Sequence, residues 1–283
     1  MKSLITFLFT IQFALAQTKT DCNTIYICID SISYEQLFSN AYVRDTLFFC
    51  QESTTKTLEE EYTGKYAIGK AANLEFFRPN LNDKIGNHLH DFGIEFKTRS
   101  LGMLNNLIAT AQNKGIAFDT NTTHLNEEDA KMIWYKTLNL ASIKTNYEIS
   151  VLEYQNEFLQ YLGFSGDDLS REMTYEAFIS KLSNGRKYPR QFNKIKSVTV
   201  TMDKSKWSEF RAFCALNGLH QKSKYSYAND ELEMNFELNK KQNQARIKKI
   251  SINLIEAQRN RIIEVSDKIN IKVSGKICEI LFL

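Results

Sequence analysis

A strand followed by an amphipathic helix recurs three times along this chain, each time trailed by further strands. That order constrains the fold more than composition does. In the first pass Ile25, Ile27 and Ile29 alternate onto one face, as in a half-buried strand. Ser33 and Gln36 have capping-box spacing, and Tyr34, Leu37, Phe38 and Ala41 then recur at helical intervals. Strand candidates follow at 47–50, 66–68 and 73–77, separated by polar or glycine-bearing turns. The order is β-α-β-β-β.

The second pass begins with a strand at 93–96. Ser100 is its expected N-cap, Leu101, Leu104, Ile108 and Ala111 its helix face, and Gly115 its stop. Strands are expected at 132–135 and 147–154, and the polar stretch from Phe118 to Lys131 reads as a long loop. The third pass begins at 197–202. Asp203 caps a helix with Trp207, Phe210 and Cys214 on its face, and strands are expected at 232–238, 247–254 and 277–282. Between these passes Tyr175, Phe178, Ile179 and Leu182 have i, i+3, i+4, i+7 spacing, so the connector holds a short packed helix. Residues 184–190, with Pro189, mark the domain boundary. A unit this short cannot bury both faces of its sheet, so units must pair. The expectation is an α+β protein of repeated β-α-β-β-β units. Units one and two (17–164) pair their sheets into a cup, a connector spans 165–194, and a third unit fills 195–283. That third unit packs either on the connector helix or on a second copy.

The N-terminus reads as a cleavable export signal. Lys2 gives a positive start, residues 4–16 are almost wholly apolar, and Ala14 and Ala16 fit the small-x-small cleavage rule, leaving Gln17 as the mature terminus. An apolar run this short falls below the ~20 residues a spanning helix needs, so no membrane anchor is expected. Cys22 lies too far beyond the cleavage site for lipid attachment. The expected location is periplasmic or secreted. The formal net charge is +3, and Lys240–Lys241 and Lys248–Lys249 are short pairs, not blocks, so no nucleic-acid partner is expected. Five cysteines without a CxxC read as small buried hydrophobes.

The unit layout resembles that of the vicinal oxygen chelate superfamily, the glyoxalase and bleomycin-resistance fold. More closely, residues 62–69, 73–77, 93–96, 152–154 and 247–254 look like an uncharacterised bacterial domain family of that layout, from about Ile25 to the C-terminus. In the superfamily, paired units enclose a cup with metal ligands, usually His and Glu, on the first and last strands of each unit. The resemblance places Glu75 and Glu153 on the last strands of units one and two. The usual His position on the first strand falls near Thr24, which cannot replace an imidazole. His88 and His90 stand just before the first strand of unit two.

Two site hypotheses follow. Glu75, Glu153 and His88 or His90 are adequate ligands for a divalent metal such as Zn²⁺. Alternatively the cup holds a small molecule against Tyr26, Tyr66, Phe76, Trp134 and Tyr154, with no metal. No GxSxG, HExxH, P-loop or dinucleotide glycine pattern is present. Three function classes stay open: a small-molecule-binding protein, a metal-dependent lyase, isomerase or dioxygenase, and a structural or partner-binding protein with a filled cup.

Overall fold

A computed structural model describes residues 20–80, 86–127, 130–141, 145–183, 190–239 and 244–283. The expected export signal, residues 184–189 of the expected boundary and the Lys240–Lys241 pair lie outside the described residues. No helix among the described residues is long and apolar enough to cross a membrane.

Unit one is β1 (Thr20–Cys28), α1 (Ser31–Gln36), β2 (Phe49–Lys56), β3 (Glu61–Ile68) and β4 (Asn73–Phe77). Unit two repeats it as β5 (Phe92–Thr98), α2 (Met103–Asn113), β6 (Asp119–Glu127), β7 (Ala130–Asn139) and β8 (Tyr147–Tyr154). Within each unit the first and last strands pair in parallel, β1 with β4 and β5 with β8. The units meet where β1 and β5 run antiparallel, giving one eight-stranded sheet in the order β2-β3-β4-β1-β5-β8-β7-β6. The sheet rolls until its outer edges touch: Thr57, just after β2, bridges to Leu125 in β6, and Leu58 N–H donates to His124 O at 3.2 Å. The result is a cup.

Two expected details differ. Where a long loop was expected after Phe118, the described residues form edge strand β6, whose Thr120, Thr122 and Thr123 suit a strand despite their polarity. The cap of α1 is Asp30, whose side chain accepts from Ile32 N and Ser33 N, in place of Ser33.

Strand alternation separates the two faces of the rolled sheet. Ile25, Ile27, Leu74, Phe76, Phe92, Ile94, Phe96, Ile149 and Val151 are buried on the convex side. Burying each such side chain stabilises by ~1.5–3 kcal/mol. This packing includes Phe76, which therefore does not face the cup.

The connector holds α3 (Asn156–Tyr161), α4 (Gly166–Leu169) and α5 (Tyr175–Leu182), the last capped by Thr174. The Phe178 ring stacks on Tyr154 at 4.8 Å, so α5 closes one side of the cup.

The third unit is β9 (Phe192–Met202), α6 (Trp207–Leu216), β10 (His220–Ser223), β11 (Ser226–Ala228) and β12 (Glu233–Leu238). It is complete at Leu238, because two short strands precede the one expected at 232–238. The remaining strands, β13 (Arg246–Glu264) and β14 (Ile269–Phe282), form a long hairpin that pairs with β9. Within the chain, the main contact of this unit is with the cup and not with the connector helix. Its α6 packs on the convex side of the cup, with Phe213 edge-on to Phe96 at 5.2 Å and Phe210 against Tyr147 at 4.9 Å. The hairpin tip reaches unit one: Arg261 lies 3.6 Å over the Tyr42 ring, and the Ser33 and Ser266 hydroxyls bond at 2.7 Å. One hydrophobic core joins both sheets. All five thiols are free, and burial pushes those of Cys28, Cys50 and Cys278 up to about 12, which keeps them protonated and unreactive.

Candidate functional site

The mouth of the cup opens into a cavity of about 210 Å³. The same alternation that buries the convex side turns Thr24 and Tyr26 of β1, Asn73, Glu75 and Phe77 of β4, and Glu95 of β5 inward. On β8, Tyr147, Ile149 and Val151 face the core, so Glu148, Leu152 and Tyr154 face the cavity. Tyr62 of β3, Trp134 and Tyr135 of β7 and Tyr175 of α5 complete an aromatic wall.

Two glycines let aromatic rings lie across the sheet. Tyr26, Gly93 and Glu148 are neighbours across β1, β5 and β8. A Cβ on Gly93 would stand 2.0 Å from the Tyr26 ring, so only glycine lets that ring cross β5. Having crossed, the Tyr26 hydroxyl donates to Glu148 Oε2 at 3.0 Å. Gly64 does the same for Phe77, whose ring lies 2.6 Å from where its Cβ would be.

The floor is acidic. Glu75, Glu95 and Glu148 sit on three different strands, each half-buried, and no Lys or Arg is among the described residues lining the cavity. Burial pushes the Glu75 carboxyl up to about 7. Glu95 stands well above the usual carboxylate range, from burial first and then from the Glu148 and Glu75 carboxylates. Burial raises Glu148 too, against the lowering effect of the Tyr26 and Ser150 hydroxyls. Two buried polar atoms of the wall, Asn73 Oδ1 and Trp134 Nε1, have no hydrogen-bond partner among the described residues. The Asn73 amide nitrogen is satisfied, donating to the Tyr175 hydroxyl at 2.6 Å.

Of the residues singled out from sequence, Tyr26, Glu75, Trp134 and Tyr154 line this cavity. Tyr66 pairs with Glu75 in register and packs edge-on to Phe77 at 6.4 Å, but is not part of the lining. Glu153 is on the wrong face by one residue. Its carboxylate accepts from Gly102 N and Leu104 N at 2.9 Å and from Thr98 Oγ1 at 3.3 Å, so it caps α2. Gly102, at φ 79°, is the N-cap position, where Ser100 was expected, and supplies no side chain of its own. His88 and His90 stay outside the cup. His88 lies 3.3 Å from Asp91, whose carboxylate also ties down Gly86 N and His88 N, and His90 faces a separate crevice beside Asp30, Arg246 and Lys268. Glu95, Glu148, Asn73 and Tyr175 were missed, although for the two glutamates a signal existed. Glu95 is the lone carboxylate of β5, between Ile94 and Phe96, and Glu148 stands between Tyr147 and Ile149 of the apolar face of β8.

This donor set does not fit the divalent metal of the superfamily. The cup offers carboxylates and no imidazole, one carboxylate is already bonded to Tyr26, and Glu153 is committed to α2. Among the described residues, no three His, Cys, Asp or Glu side chains are grouped to hold a metal ion.

The sequence profile of a family of unknown function matches residues 22–279. The chain belongs to DUF5829. Its paired units in one rolled sheet have the vicinal oxygen chelate layout. Among solved structures, a hypothetical protein from Staphylococcus aureus is 12% identical to this DUF5829 chain, covering 87% of it and 95% of its own length at a TM-score of 0.55. A catechol 2,3-dioxygenase is 12% identical over 93% of this chain and 87% of that one, with a TM-score of 0.44. The Mn(II)-bound glyoxalase from Novosphingobium aromaticivorans is 9% identical, with a TM-score of 0.39 over 77% of this chain and 61% of that one. Identities this low speak to fold alone. The DUF5829 chain has no significant sequence match among curated proteins.

Proposed function

We propose that this DUF5829 chain is an exported protein that binds a small organic molecule in its cup. The observation that carries the reading is the pair of buried, unpartnered polar atoms, Asn73 Oδ1 and Trp134 Nε1, in the wall of an open, largely aromatic cavity. A buried polar group without a partner costs ~1–3 kcal/mol, and a bound molecule or trapped water recovers that loss. An aromatic cavity with a few polar groups is a common form of small-molecule site. The open volume speaks against a cup filled by its own side chains, and the donor set speaks against a metal-dependent enzyme. Export rests on Lys2, the apolar run at 4–16 and the Ala14/Ala16 pair.

Ligand-observed NMR with a fragment library, repeated on Asn87→Trp, tests the binding reading. Asn87 lies at the cavity rim, where a larger side chain blocks entry without entering the core. The expected result is a set of fragments that bind wild type and lose affinity in the variant. Absence of any such fragment contradicts it. N-terminal sequencing of the protein recovered after export is expected to begin at Gln17.

A further inference from the structure

We infer that the cup takes an organic cation: a primary ammonium group carried on a short, flat apolar body. This rests on the cup being a small-molecule site, and it names the class of molecule.

Four glutamates line the cavity, Glu60 just before β3 and, on three strands, Glu75 of β4, Glu95 of β5 and Glu148 of β8, and no described cationic side chain lines it with them. Buried acids elsewhere in this protein are handled differently. Asp21 is paired with Arg99 at 2.6 Å, and Glu153 accepts three hydrogen bonds. Carboxyls withdrawn from water without a described counter-charge hold their protons in the free protein, and a bound ammonium is the charge that lets them ionise. The surrounding wall suits that charge. Tyr26, Tyr62, Phe77, Trp134, Tyr135 and Tyr154 present rings to the cavity, and ring faces attract cations. The unpartnered Asn73 Oδ1 is an acceptor, which an ammonium N–H satisfies and a quaternary ammonium does not.

Size and spacing set the remaining limits. At ~30 Å³ per water, 210 Å³ is the room of about seven waters, so the ligand has on the order of ten non-hydrogen atoms. The carboxyls are spread around the cavity and not grouped about one point, which suits a molecular cation bonding to separate walls better than a bare metal ion.

The test is isothermal titration of the full-length protein at pH 8 with three near-isosteric probes: tyramine (cationic), tyrosol (neutral) and 4-hydroxyphenylacetate (anionic). Benzylamine, putrescine and agmatine extend the amine series, and Ca²⁺ and Mn²⁺ are titrated alone. The expected result is saturable binding of at least one amine, with tyramine at least tenfold tighter than tyrosol and the anion not bound. Glu75→Gln and Glu95→Gln, each verified as folded by circular dichroism, weaken the amine tenfold or more, whereas Glu176→Gln, outside the cup, leaves it unchanged. Equal binding of tyramine and tyrosol overturns the inference. So does silence from every amine, or Ca²⁺ or Mn²⁺ binding that depends on the same glutamates. If the amines fail while neutral fragments still bind wild type and not Asn87→Trp, the small-molecule site stands and only its cationic specificity falls. If both fail, the site itself is overturned.

Discussion

At the scale of single residues, the cup is built from contacts that tolerate little change. Gly93 is the clearest. Its missing Cβ leaves the strip of sheet over which Tyr26 reaches Glu148. Gly93→Ala is expected to displace the ring, break the 3.0 Å bond and cost ~2–3 kcal/mol in urea unfolding. A change within ~0.5 kcal/mol contradicts this placement. Glu75 makes a pH-dependent prediction. Its carboxyl is held at about 7 in the folded chain against 4.5 as its ordinary value. The folded state therefore keeps a proton that the unfolded state releases, and stability falls as pH rises from 4.5 to 7. Tyr26, Tyr62, Tyr154 and Tyr175 face this region as neutral hydroxyls, and Glu95 and Glu148 push in the same direction as Glu75. Glu75→Gln should match wild type near pH 4.5 and gain ~1–2 kcal/mol at pH 8, after discounting for water in the cavity. Thermal melts at both pH values check it, and an equal difference at both contradicts it. Glu75 was reached through the resemblance, and its place between the apolar Leu74 and Phe76 turns it into the cup. Glu148 was legible by the same logic, yet Glu153 was chosen in its place. A resemblance aligns strands, and only parity decides which face a residue occupies.

At the scale of elements, Glu153 explains how α2 starts without a capping side chain. Gly102 provides the left-handed turn, and the carboxylate of a strand 49 to 51 residues away accepts the free N–H groups of the first turn. Glu153→Ala is expected to cost ~2–3 kcal/mol by chemical denaturation while leaving amine affinity unchanged. Loss of affinity without loss of stability contradicts this capping role. Such a cap is long-range, so no local pattern around Ser100 could reveal it. Helix faces and buried strands were legible because their periodicity is strong, as in α5 and β9. Strand β6 was not, since an edge strand keeps polar residues on both faces and carries no apolar period. Strands β10 and β11, of four and three residues, are too short to give a period at all.

At the scale of the whole molecule, the repeat explains the architecture and its limit. Two complete units close into a cup. A third completes itself and then pairs β9 with β13, as β1 pairs with β5, but β14 folds straight back in place of a fourth unit. The hairpin so formed clasps unit one, and α6 covers the convex side, so the third unit buttresses the strands that carry Glu75, Glu95 and Glu148. The order of units was readable from the chain. Their docking was not, because it depends on which apolar faces meet, as Phe213 meets Phe96.

A small cation entering the cup as proposed would meet its aromatic wall and change the surroundings of Trp134. The chain has two tryptophans, and Trp207 lies against Tyr225 and Phe236 in the third unit, so Trp207→Phe leaves Trp134 as the sole indole reporter, inside the cup. A ligand of about ten atoms at ~0.5 kcal/mol each binds with a Kd on the order of 0.1–1 mM. The decisive measurement is Trp134 fluorescence in that variant at pH 8 as tyramine and tyrosol are added. The expected result is a saturable change with tyramine in that range and at least tenfold weaker response to tyrosol. A Trp134 spectrum unchanged by tyramine up to about 10 mM, or moved equally by both, contradicts it.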